Sequence, residues 1–118
     1  MKIEFAKAFI VQKFWSDKIF DLSDPKTWEM RSTITKQRGT VGVIEAGSGL
    51  IVGTVDIVAC LQHPLENPEL FLGQHKVEDL SLLDKWPYAW ILSNAKRFEQ
   101  PIPYTHPKGA VIWVNICK

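Results

Sequence analysis

No apolar run in the chain reaches the roughly 20 residues that a membrane-crossing helix needs. Met1-Lys2 leads into a segment carrying Glu4 and Lys7 rather than into the apolar core of a signal peptide. Cysteine is scarce: Cys60 and Cys117 each sit in an apolar run, "VDIVACL" and "VIWVNIC". Neither has the basic neighbours that stabilise a thiolate, so both read as buried free thiols and the expected setting is reducing and cytoplasmic. The three histidines, His63, His75 and His106, lie apart with no pair at metal-ligand spacing. No metal site and no cofactor is therefore expected. Gly47-Ser48-Gly49 lacks the Lys-Ser/Thr that completes a nucleotide-hydrolase phosphate loop. Charge of one sign is missing as well, because a formal net charge of +1 gives no broad field for duplex DNA.

What remains is the profile of one globular domain over residues 1–118, 46% hydrophobic and 23% charged. A chain of this size buries about 65% of the surface its unfolded form exposes, which is enough to fold without staples. Five tryptophans are many for this length, and each is a candidate for core or for stacking on a flat ligand. Charge is unevenly spread. Residues 26–38 carry Lys26, Arg31, Lys36 and Arg38 against Glu29, net +3, whereas residues 56–84 carry six acids against Lys76, net −5. A local basic patch suits a short phosphate-bearing or single-stranded ligand, and a solvated charged face explains it equally well.

"AFIVQKF" reads as an opening strand, and "WSDKIFDL" spaces Trp15, Ile19 and Leu22 as one helical face behind a Ser16 cap. Pro25 disfavours helix at Asp24 and ends that element. "TVGVIEA" and "LIVGTVDIVACL" read as two long strands joined by the Gly47-Ser48-Gly49 turn. Residues 64–85 form an acidic excursion with "PELFLG" and "VEDLSLLDKW" as short helices. "YAWILSNAKRF" begins as a strand, "EQPIPYTHPKG" reads as a proline-rich loop, and "AVIWVNIC" as a closing strand. The sum is a mixed α+β, mainly β domain: a small barrel of about five or six strands, mostly antiparallel, with one to three short helices.

"DPKTWEMR", residues 24–31, concentrates the chemistry. Strand alternation puts Glu29 and Arg31 on one face and Trp28 and Met30 on the other, with Lys26 at the mouth. On that pattern Trp28 and Met30 face the core, and Glu29 and Arg31 form a polar face, either a charged outer face or the wall of a binding site. The segment resembles the Gly-x-Lys-x-x-Glu-x-Arg signature of the ASCH domain, in the PUA-like superfamily, with Lys26, Glu29 and Arg31 matching and Asp24 in place of glycine. "RGTVGVIEAGSG", beginning at Arg38, and "YAWILSNAKRFEQPIPY" are similar to later segments of that family, in the same order.

The resemblance implies a PUA-like β-barrel whose cleft, beside Lys26, Glu29 and Arg31, binds RNA, nucleotides or modified nucleosides. Lys26 and Arg31 would contact anionic or carbonyl oxygens, Glu29 would accept from a base edge or orient Lys26, Arg38 is a further ligand-binding candidate, and Ser48 would offer a hydroxyl beside backbone donors, although a plain turn explains it equally. Trp90 would be a stacking platform or core. Some small family members are amidohydrolases acting on an acylated cytidine, which makes Lys26 and Glu29 a candidate acid–base pair. Glu29 stands where those relatives use threonine. The alternatives are thus a hydrolase of acylated nucleosides or single-stranded RNA, and a protein-interaction module using the acidic 56–84 region.

Overall fold

The computed structural model describes residues 3–116; Cys117 lies outside them. Six strands are present: β1 (Lys7–Val11), β2 (Trp28–Arg31), β3 (Gly39–Glu45), β4 (Leu50–Cys60), β5 (Tyr88–Pro103) and β6 (Trp113–Asn115). They form one sheet in the order β2-β5-β4-β3-β1-β6, antiparallel throughout except for the parallel β1–β3 pair. The architecture is the small, mainly β mixed fold expected from the sequence, in the form of a curled half-barrel. No helix of the described residues is long and apolar enough to cross a membrane.

The curl is visible in side chains that meet although their strands are not neighbours. Trp90 of β5 stacks on Trp113 of β6 at 5.6 Å and meets Phe9 of β1 edge-on at 6.0 Å. These residues belong to the core together with Val41, Val43, Val55 and Ile57, so the concave face is the dry interior. The outer strands β2 and β6 do not pair with each other among the described residues. A side chain spans part of the gap instead: Arg31 Nη2 donates to the Ile10 carbonyl at 2.8 Å.

Helix α1 (Lys13–Ile19) starts earlier than Ser16. The Gln12 carbonyl accepts from the Trp15 and Ser16 amides, and the Ser16 hydroxyl bonds back to Lys13 O inside the helix rather than capping it. Strand β5 continues through the segment read as a proline-rich loop as far as Pro103. Its register against β4 jumps between Ile51–Ile102 and Gly53–Arg97, so a bulge absorbs Phe98–Pro101 and pairing resumes beyond it. The acidic excursion holds a 3₁₀ turn at Pro68–Phe71, a single helical turn α2 (Leu72–His75) and a second 3₁₀ turn at Leu80–Asp84. It covers the convex side of β2 through a cluster of Met30, Val77, Leu83 and Ala89.

Two glycines allow close packing. A Cβ at Gly42 would lie 2.7 Å from Phe5, and one at Gly53 would collide with the Lys96 carbonyl oxygen and stand 2.7 Å from Phe20 Cζ. Gly53→Ala is expected to destabilise the protein by about 2–3 kcal/mol in urea unfolding, because a backbone carbonyl cannot swing aside as a side-chain tip can. A loss below 0.5 kcal/mol would mean that β4 and β5 part easily at this point.

Candidate functional site

Strand β2 sets the site by its register. Glu29 is paired with Trp90 and Met30 with Ala89, so Glu29 shares the concave side with Trp90 while Met30 faces the excursion. The alternation expected from the sequence holds, and Met30 is buried in a core cluster against which Trp28 packs, but the polar face of β2 is interior as well. Glu29 and Arg31 point into the curl, where Glu29 is 4% exposed, and Trp28 is half-buried on the convex side, stacked on Phe71 at 4.9 Å. Lys26 stands just before β2, as expected, and is buried there. It is 2% exposed, its backbone amide bonded to Lys18 O and its side chain laid beneath α1 with Nζ 5.0 Å from the Trp15 ring.

The three charged groups form a row. Lys26 Nζ donates to the Trp28 carbonyl at 2.7 Å and the His75 carbonyl at 2.5 Å, and lies 3.8 Å from Glu29 Oε1. Glu29 Oε2 accepts from Arg31 Nε at 2.8 Å and is ion-paired with Nη2 at 2.8 Å. The Arg31 guanidinium also sits 5.4 Å from the Phe9 ring and 5.2 Å from the Trp90 ring. Among the described residues Arg31 Nη1 makes no hydrogen bond, and Lys26 Nζ makes two, to backbone carbonyls, beside the Glu29 carboxylate. Burial is the main influence on Lys26. It pulls the ammonium down to about 8 from its usual 10.5, with Arg31 acting in the same direction and Glu29 opposing.

The backbone that holds Lys26 comes from the excursion. His75 is fully buried; its Nδ1 accepts from the Val77 amide at 2.9 Å and its Nε2 meets Pro68 O at 2.8 Å. Those contacts require the neutral ring with its proton on Nε2, and desolvation accordingly lowers the histidine's pKa. The ring thereby fixes the turn whose carbonyl receives the Lys26 ammonium.

Lys26, Glu29 and Arg31 converge on a partly open cavity of about 160 Å³, whose remaining walls include Gln12, Trp15, Met30, Val77 and Trp86. The other candidate residues lie elsewhere. Trp90 is 1% exposed and donates its indole N–H to Thr33 O, so it is core that backs Arg31 rather than an open stacking platform. The Ser48 hydroxyl donates to Glu45 O at 2.6 Å and accepts from the Leu50 amide, which makes it a staple of the β3–β4 turn. Arg38 Nη1 is held by the Thr35 and Gln37 carbonyls. Neither Ser48 nor Arg38 lines the cavity.

The basic patch expected at 26–38 divides in the same way. Lys26 is buried and Arg31 half-buried against Glu29, leaving Lys36 and Arg38 exposed. Cys60 is a buried free thiol. No group of three or more His, Cys, Asp or Glu side chains among the described residues is arranged to hold a metal.

Gln12, Trp15 and Trp86 belong to the cavity without having been candidates from the sequence. Trp15 and Trp86 meet edge-to-face at 6.3 Å, a contact between residues 71 positions apart that no local pattern announces. The periodic signal at Trp15 was that of a core-facing helix residue, and it is also a wall residue. No protein-family model matches the chain, and no curated protein matches it as a relative.

Proposed function

We propose that the protein is an ASCH-type, PUA-like module that binds RNA, nucleotides or modified nucleosides by taking one base into the cavity beside Lys26, Glu29 and Arg31. The observation that carries this reading is the convergence of three buried or half-buried charged groups, from a recognisable motif, on one small cavity. A volume near 150 Å³ accepts one six-membered ring, and indole walls with a polar floor suit a flat molecule bearing hydrogen-bonding edges. The cavity is too small to enclose a ribose and phosphate as well, so these would lie at its open side.

A second reading, hydrolysis of an acylated nucleoside, draws on the Lys26–Glu29 pair. An ammonium held at about 8 and a carboxylate 3.8 Å away are suited to proton transfer near neutral pH. Glu29 would take a proton from the attacking water, and Lys26 would give one to the departing amine.

Calorimetry with a panel of nucleosides and short single-stranded RNAs tests the first reading, with Arg31→Lys as the variant. That substitution keeps the charge but removes the guanidinium fork, and a loss of about tenfold in affinity is expected. No binding by the wild type, or equal binding by both proteins, would overturn it. Mass spectrometry of the ligands recovered from the same incubations separates the two readings, since binding returns them unchanged and hydrolysis returns the deacylated nucleoside.

A further inference from the structure

The row of charges has a hydrogen-bonding order as well as a net charge. At one end the Lys26 ammonium has a third N–H beyond its two backbone bonds, in the middle Glu29 carries carboxylate lone pairs, and at the other end Arg31 Nη1 makes no hydrogen bond among the described residues; all three residues line the cavity. The sequence of functions across the floor is donor, acceptor, donor. Cations flank the Glu29 carboxylate on both sides, at 3.8 Å to Lys26 and 2.8 Å to Arg31. The complement is a flat edge reading acceptor, donor, acceptor.

We infer that the cavity selects a six-membered ring with an imide edge, a uracil-type base whose two carbonyl oxygens face Lys26 and Arg31 and whose N3–H faces Glu29. This inference rests on the reading of the cavity as a base pocket and names which base it takes. A cytosine edge presents an amine, a bare ring nitrogen and a carbonyl. It would bring a lone pair against the Glu29 carboxylate and, in either orientation, an amine against a cationic donor. Each mismatch leaves a desolvated polar group unpaired, which is costly in a buried site. Purines exceed the cavity in ring number, and the acceptor–donor edge of guanine continues into a second donor where Arg31 requires an acceptor. The cavity's net charge also agrees: with Lys26 protonated the three groups sum to +1, which favours the carbonyl-rich edge.

The test needs no variant, so folding defects cannot obscure it. Calorimetric titration of the wild-type protein at pH 7 with uridine, cytidine and 3-methyluridine compares an imide, a non-imide and an imide whose N3–H is replaced by a methyl group. Uridine is expected to bind about 100-fold more tightly than either of the others, as befits a site built around a buried hydrogen-bonding group. Cytidine binding as tightly as uridine, or 3-methyluridine matching uridine, overturns the imide assignment while leaving a base pocket in place. Absence of binding by all three nucleosides, with no nucleoside or RNA of the wider panel bound either, overturns the base-pocket reading together with it.

Discussion

Glu29→Gln is expected to lower the unfolding free energy by about 3–5 kcal/mol at pH 7, the usual cost of removing one partner from a buried ionic network. Glutamine has nearly the same shape and keeps an oxygen for Arg31, so the change isolates the negative charge. What it leaves is two cations on one wall, Lys26 at 2% exposure and Arg31 half-buried, with no anion between them. The loss should shrink by about 1 kcal/mol at pH 9.5. Glu29 is the main group sustaining the Lys26 proton against burial, and without it Lys26 becomes neutral at lower pH, which relieves the repulsion. Urea unfolding of wild type and variant at both values gives the comparison. Equal losses would show that Glu29 acts through its hydrogen bonds to Arg31 and not through its charge.

The second large effect belongs to Lys26 itself. Its folded-state value is about 8, against 10.5 in an unfolded chain. Between those values the unfolded chain binds more protons than the folded one, so stability rises with pH across the window. Below about pH 8 both states carry the proton and the full cost of burying an ammonium is present. Relative to Lys26→Met, which has no proton to release, wild type should gain roughly 3 kcal/mol between pH 8 and pH 10.5. Taking the difference between the two proteins cancels the titration of surface groups and of Tyr104, whose phenol is raised by burial and works in the opposite direction. Parallel pH profiles would place the Lys26 ammonium in water.

The parts of this structure legible in the sequence are those governed by neighbours along the chain. Strands β3 and β4 follow from β-branched runs and a glycine-flanked turn, and the pairing of Glu29 with Arg31 on one face follows from alternation. That the polar face of β2 is buried as well as the apolar one was not legible. That depends on the curl that brings Trp90 and Phe9 behind Arg31, and on an excursion from residues 64–85 that covers Met30 from outside. Strand β5 was cut short for a related reason. Pro101 and Pro103 signal a loop locally, yet the bulge at Phe98–Pro101 lets the strand resume its pairing with β4. The anchoring of Lys26 by the His75 carbonyl spans 49 residues and uses a backbone atom, so no side-chain pattern could have marked it.

The cavity draws its walls from residues 10–15, 26–31, 77 and 86, with Arg31 fastened to Ile10 across the ends of the sheet. Contacts between segments so distant in the chain form late during folding, because the closure entropy of the intervening loops must be overcome first. The β3–β4 hairpin, closed by a short turn, can form early without any part of this pocket. The cavity is therefore a property of the completed chain alone: a chain that has formed only its central hairpin still lacks the cavity's floor.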